Sequence, residues 1–155
     1  MICNTVLDAI GNTPIIRLQH MTSPEDAEIL VKFEGLNVGG SIKTRVAYNM
    51  VMDAVQKGKI NQDTVIVEPT SGNQGIGLAL VGAVLGYRVR IIMPDSVSVE
   101  RQKLMRHYGA EVVLVPGVYD DAYAEAIRLR DEHNYTFIHP FDDPAIMAGQ
   151  GTIGL

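Results

Sequence analysis

Lys43 is the first residue in this sequence whose position suggests chemistry. The helix predicted around it carries apolar residues at helical spacing on one face, and these are Ile42, Val46, Ala47, Met50, Val51, Ala54 and Val55. Lys43 points near the middle of that face, where an ammonium group loses part of its hydration. A neutral amine attacks aldehydes and forms Schiff bases. The residues leave one alternative open, in which Lys43 extends its flexible chain to solvent at the helix start.

A second candidate site is the segment of residues 70–75, which we call the 70–75 loop. It contains two hydroxyls, two amides and two glycines, in the order Thr70, Ser71, Gly72, Asn73, Gln74 and Gly75. The loop is predicted to begin a helix, whose N–H groups and positive end attract a carboxylate or a phosphate. The alternative is a helix start in which Thr70 or Ser71 serves only as the N-cap.

The order of residues in this sequence excludes two nucleotide-binding motifs. The order Gly72, Gly75, Gly77 differs from the dinucleotide motif G-x-G-x-x-G. A P-loop requires glycine directly before its lysine, and this sequence has Ile42 there.

The sequence gives little support for a metal site or a hydrolytic triad. The spacing of the candidate metal ligands matches no compact zinc motif; these are His107, His133, His139, Asp142 and Asp143. The pair of acids followed by Pro144 is more typical of a helix start, and no G-x-S-x-G elbow is present. We therefore predict no metal.

Composition indicates a globular protein that acts on small molecules. The 155 residues are 46% hydrophobic and 20% charged, with a formal net charge of −5. This balance argues against nucleic-acid partners and anionic membranes, which require a basic surface. The single Cys3 and the absence of a signal sequence predict a cytoplasmic location. The longest apolar stretch, residues 76–87, is too short to cross a bilayer.

The predicted elements alternate between strand and helix. Apolar strands are predicted at residues 64–67, 89–93, 111–115 and 135–138, with helices at 76–85, 99–108 and 120–133. Short glycine and proline connections make this a three-layer α/β/α fold with an open, twisted parallel sheet. Ligands bind at the carboxyl ends of strands in such sheets, which is where the 70–75 loop falls.

Four segments resemble, in order and spacing, the cysteine synthase (O-acetylserine sulfhydrylase) family of fold-type II pyridoxal-phosphate enzymes. They are residues 10–18 (IGNTPIIRL), 32–34 (KFE), 37–45 (NVGGSIKTR) and 68–76 (EPTSGNQGI). The resemblance implies that Lys43 forms the Schiff base with pyridoxal 5'-phosphate and later removes the substrate α-proton. It further implies that Asn73 binds the cofactor ring hydroxyl, and that the substrate carboxylate is held by Thr70, Ser71, Gly72 and Gln74. The implied reaction eliminates a β-substituent from an amino acid and adds sulfide.

Two positions depart from the family pattern and leave the substrate open. Gln74 stands where cysteine synthases usually have threonine, and Pro140 stands where they often have a glutamine before Phe141. Residues 139–144 and 148–152 look more like the serine/threonine ammonia-lyases of the same superfamily. That activity is the alternative, and a catalytically silent fragment is another.

The resemblance also implies how the chain is divided. Family members are about twice as long, and the glycine-rich phosphate cup lies in their second half. Residues 1–36 would belong to the large domain, residues 37–145 would form the small domain, and residues 146–155 would begin the remainder of the large domain. We expect apolar surface to be exposed in the N-terminal segment and from Ile146 onward. The family also suggests a homodimer, and serine acetyltransferase as a partner.

Overall fold

A computed structural model describes residues 2–139 and 142–155. Its main element is a parallel sheet of four strands, which are β3 (Val65–Pro69), β4 (Arg88–Pro94), β5 (Glu111–Val115) and β6 (Thr136–Phe137). They lie in the order β5-β4-β3-β6. The predicted α/β class and parallel sheet are confirmed.

Within the described residues, five α-helices accompany the strands, and they cover both faces of the sheet. They are α1 (Lys43–Gln56), α2 (Asn73–Leu85), α3 (Val99–His107), α4 (Tyr119–His133) and α5 (Pro144–Gly151). Helix α4 packs on one face, where Ala122 and Ala126 contact Val67 and Ile92. The other face supports α1, α2 and α3, and α5 packs against α1. Parallel strands covered on both faces explain the continuous apolar runs in the sequence.

Helix α5 begins as the sequence predicts. Asp143 is its N-cap, and its carboxylate accepts a hydrogen bond of 2.7 Å from the Ala145 N–H, with Pro144 in the first turn. Ile146 on this helix is buried, so the expected exposure of apolar residues near the C-terminus is confined to Met147 and Leu155. The predicted partition into three regions stays a prediction.

The N-terminal segment forms a separate two-stranded antiparallel sheet of β1 (Ile15–Arg17) and β2 (Leu30–Lys32). Its apolar side chains remain exposed, as the sequence led us to expect; Ile15 is 62% exposed and Leu30 is 55% exposed. Exposed apolar patches mark interaction surfaces when they are large and contiguous.

Candidate functional site

Lys43 is the first residue of α1 and is half-buried. The four residues after it, Thr44 to Ala47, are all buried, so Lys43 lies at the rim of the apolar face. The prediction of a lysine near the centre of that face is therefore only partly right, because Lys43 stays half-exposed while the rest of the first turn is buried. A tight turn precedes it, in which Gly39 has φ +80° and leaves no space for a Cβ, which would lie 2.5 Å from Thr44 Oγ1.

The 70–75 loop follows β3 and opens α2 at the carboxyl edge of the sheet. Thr70 is buried, and its N–H donates to the carbonyl of Ile92 at 2.9 Å, whereas Ser71 and Asn73 are exposed. The N-cap of α2 is Gly72, and no side chain caps the helix. The alternative in which Thr70 or Ser71 is the N-cap is therefore wrong. An uncapped N-terminus of a 13-residue helix offers its N–H groups to an anion.

Helices α1 and α2 meet directly beside this loop. A Cβ added to Gly77 would lie 2.9 Å from the carbonyl oxygen of Lys43 and 3.2 Å from the Cα of Thr44. The backbones therefore touch one turn after the start of α2. This contact places the backbone of Lys43 beside α2, at a position two residues after the end of the 70–75 loop.

Substituting Gly77 tests this contact. We expect Gly77→Ala to lower the free energy of unfolding by about 1–3 kcal/mol, because the methyl group meets backbone atoms that have no free space to move into. Gly151→Ala is the control, since nothing lies within 4 Å of its added Cβ and alanine favours a helix. Urea unfolding of both variants measures the difference. Equal stabilities would show that the helices do not meet as described.

Gln74 lies on the inner side of the loop. Its side chain is buried, and its Nε2 donates to the sulfur of Met50 at 3.3 Å. It therefore does not share the open surface of Ser71 and Asn73. The assignment of Gln74 to the loop that holds the substrate carboxylate stays a prediction.

Glu68 is a site residue that the sequence analysis missed. It is the fourth residue of β3, it is 0% exposed, and neither carboxylate oxygen has a hydrogen-bond partner among the described residues. Burial raises its pKa to about 8, while the Gln74 side chain and the positive charge of Lys43 oppose that rise. The available signal was an acid directly after the β-branched run of a strand predicted to be covered on both faces.

The remaining candidates do not converge on one site. Within residues 2–139 and 142–155, no three histidine, cysteine or acidic side chains are grouped to hold a metal ion. In the same residues, no helix has the length and apolarity needed to span a membrane. The departure from the family pattern at Pro140 lies outside the described residues.

The chain belongs to the family described as pyridoxal-phosphate dependent enzymes, which it matches over residues 6–155. Its fold is that of the N-terminal half of the fold-type II members, which confirms the family drawn from the sequence. A structure of cysteine synthase from Entamoeba histolytica superposes with a TM-score of 0.89 at 37% identity, covering 96% of this chain and 46% of that one.

Two relatives with different names are more similar to this chain in sequence than the Entamoeba histolytica enzyme is. The chain is 48% identical to a cysteine synthase from a Flavobacterium species across 90% of its length, which corresponds to 46% of the relative. It is 46% identical to an O-ureido-L-serine synthase from Streptomyces lavendulae, with 92% of this chain and 44% of that protein covered. The chain thus spans about half the length of the curated relatives it matches.

Proposed function

We propose that this chain provides the lysine side of a pyridoxal 5'-phosphate site for β-elimination and β-replacement on an amino acid. Cysteine synthase activity, which forms L-cysteine from O-acetylserine and sulfide, is our first choice. The observation that carries the proposal is a half-buried lysine beside the uncapped N-terminus of α2. A nucleophilic amine next to an anion-binding helix end suits an aldehyde cofactor and a substrate carboxylate.

Each predicted residue has a defined task in this proposal. Lys43 would hold the cofactor through its aldehyde, and its amine would accept the α-proton of the substrate. When bound, the cofactor supplies an electron sink for the carbanion. Asn73 is exposed at the first turn of α2, and its amide would donate to the cofactor ring hydroxyl. The substrate carboxylate is held by hydroxyl and N–H groups from Thr70, Ser71, Gly72 and Gln74.

The whole activity requires residues beyond those in this chain. The relatives are about twice as long, and we assign the cofactor phosphate site to their second half. The exposed apolar residues of β1 and β2 agree with a surface that the rest of such a fold covers. A cytoplasmic homodimer, with serine acetyltransferase as a partner, belongs to the same proposal.

Reductive trapping tests the role of Lys43. We expect pyridoxal phosphate followed by borohydride to add the cofactor mass mainly at Lys43, as located by peptide mass spectrometry. The other lysines, Lys32, Lys57, Lys59 and Lys103, serve as internal controls. Lys43→Ala should abolish the main adduct, whereas the exposed control Lys103→Ala should leave it unchanged. Equal labelling of all five lysines would refute the cofactor assignment and favour a catalytically silent fragment.

The substrate is tested in a protein that joins this chain to the second half of the family fold. Formation of cysteine from O-acetylserine and sulfide supports our first choice. Formation of a 2-oxo acid from serine or threonine supports an ammonia-lyase instead.

A further inference from the structure

The turn formed by residues 37–42 leads directly into α1 and places its first residue, Lys43. Thr44, the second residue of α1, is 0% exposed, and its hydroxyl donates to the backbone carbonyl of Val38 near the beginning of the turn. The backbone N–H of Lys43 donates to Oγ of Ser41 at 3.2 Å. Two consecutive residues of α1 are therefore bonded back to the turn that precedes the helix.

Asn37 holds the beginning of this turn. It is 4% exposed, and its side-chain carbonyl accepts the N–H groups of Gly11 and Val38 at 3.1 and 3.0 Å. Its side-chain amide donates to the carboxylate of Glu34 at 3.0 Å, and its backbone carbonyl accepts the N–H of Gly40 at 2.8 Å. A buried amide with this many partners favours a single conformation of the chain around it.

Close packing leaves the turn little room to move. Gly39 and Gly40 have φ values of +80° and +77°, in the left-handed region that favours glycine. A Cβ on Gly39 would lie 2.5 Å from Oγ1 of Thr44, so the threonine side chain packs against the turn as well as bonding to it. Helix α2 also contacts this region, since a Cβ on Gly77 would lie 2.9 Å from the carbonyl oxygen of Lys43. The backbone of Lys43 is therefore held by the turn and by α2.

The first turn of a helix is ordinarily its loosest part, because the N–H groups there have no partner within the helix. The N-cap of α1 is Ile42, and no side chain caps the helix there. The bonds from Thr44 and Lys43 to the turn take the place of such a cap. A fixed backbone sets the direction of the Cα–Cβ bond of Lys43, and this direction limits where its amine can reach. A nucleophile that is already oriented pays less entropy when it reacts.

We propose that Thr44 is a positioning residue for Lys43, because its hydroxyl ties the start of α1 to a turn that Asn37 holds in one conformation. Thr44 acts through the backbone of Lys43. The use of this position in chemistry rests on the function proposed above. The anchoring of the turn does not, and it can be measured on this chain without a cofactor.

Amide hydrogen exchange measures the anchoring of the turn. Thr44→Val keeps the shape of the side chain and removes its hydroxyl, so the amides of Gly40 and Lys43 should exchange about three- to tenfold faster, as for the loss of one hydrogen bond. Thr44→Ser keeps the hydroxyl and should return both rates toward the wild type. Thr136→Val is the matched control, because it removes a hydroxyl that donates to the carbonyl of Lys59 at 3.4 Å, and it should leave both rates unchanged. Wild-type rates at both amides in Thr44→Val overturn the proposal.

Parallel labelling separates a positioning role from a general loosening of the fold. Pyridoxal phosphate with borohydride labels Lys43 only when a bulky aldehyde reaches the amine, whereas acetic anhydride is a small reagent with little demand on orientation. We expect Thr44→Val to lower the first label relative to the second by about threefold at Lys43, and Thr44→Ser to restore the ratio. The ratio at Lys103 should not change. An unchanged ratio at Lys43 in Thr44→Val overturns the positioning role.

The outcomes distinguish this proposal from the proposed function. If pyridoxal phosphate shows no preference for Lys43 in the wild-type chain, the cofactor assignment is refuted, and the exchange rates of Gly40 and Lys43 still decide whether Thr44 anchors the turn. If the preference for Lys43 is present and Thr44→Val leaves it unchanged, the cofactor assignment stands and the positioning role of Thr44 is refuted.

Discussion

Arg45→Ala is expected to lower the free energy of unfolding by about 3–5 kcal/mol, because it leaves a nearly buried carboxylate without its partner. Arg45 and Glu34 form a two-pronged ion pair, with Nε to Oε2 at 2.9 Å and Nη2 to Oε1 at 3.0 Å. Their side chains are 6% and 12% exposed. Thr13 and Asn37 also donate to the carboxylate of Glu34, at 2.6 and 3.0 Å.

This network joins distant parts of the chain to the start of α1. Arg45 lies two residues after Lys43, and its Nη1 donates to the carbonyl of Thr152 at 3.0 Å. Asn37 accepts the N–H of Gly11 at 3.1 Å. Losing Arg45 should therefore loosen the N-terminal segment as well as lower global stability. Hydrogen exchange of residues 11–14 and 34–38 measures this local effect.

The exposed pair of Arg17 and Glu28 is the control for this experiment. These side chains are 69% and 51% exposed, so Arg17→Ala should change the free energy of unfolding by less than about 1 kcal/mol. The double variant Arg45→Met with Glu34→Leu should recover much of the loss, because no unpaired charge remains. Similar losses in Arg17→Ala and Arg45→Ala would contradict the buried network.

The stabilisation by the ion pair of Arg45 and Glu34 depends on pH. Hydrogen bonding by Arg45 lowers the pKa of Glu34 below its ordinary value of 4.5, against the opposing effect of burial. A lowered folded pKa means that the stabilisation is fully present above about pH 4.5 and is lost as the pH falls through the folded value. The stability difference between wild type and Arg45→Ala should therefore shrink in acid.

Periodicity and turn residues predicted most of the fold. The strand at residues 111–115 was located at its observed ends, and the other strands of the sheet were found within two residues of theirs. Helix α2 begins at Asn73, three residues before the predicted start. The sequence was misleading there because Gly75 and Gly77 disfavour a helix, and packing makes them necessary. A Cβ on Gly75 would lie 2.6 Å from Cγ2 of Thr70.

The candidate site was predictable where its residues are close in sequence. The 70–75 loop and Lys43 were both found, since one follows a strand and the other precedes an amphipathic helix. Glu68 and the Arg45 network were missed for a different reason. A helical wheel places Arg45 away from the centre of the apolar face, yet it is buried because Glu34, eleven residues earlier, neutralises it. Such pairing is a property of the tertiary structure.

Glu68→Gln is expected to stabilise the chain at pH 8 and above. The pKa of Glu68 is about 8 in the folded chain, because of burial, against its ordinary value of 4.5. The folded state therefore keeps a proton that the unfolded state has released. Because the folded pKa is raised, the contribution to stability is fully present below about pH 4.5 and is lost as the pH rises through about 8.

The expected slope is large enough to measure by urea unfolding at several pH values. One unit of pKa shift corresponds to about 1.4 kcal/mol, so the wild-type chain should lose on the order of 4 kcal/mol between about pH 5 and pH 8 through Glu68 alone. Glu68→Gln should lack this slope and exceed the wild type by a similar amount at pH 8. Glu25→Gln, at an exposed position, is the control and should keep the wild-type slope. The pH range in which Glu68 affects stability lies above the range for Glu34. The two effects therefore appear separately on one curve of unfolding free energy against pH. If Glu68→Gln and Glu25→Gln follow the wild type in parallel at every pH, the pKa of Glu68 is not raised in the folded chain.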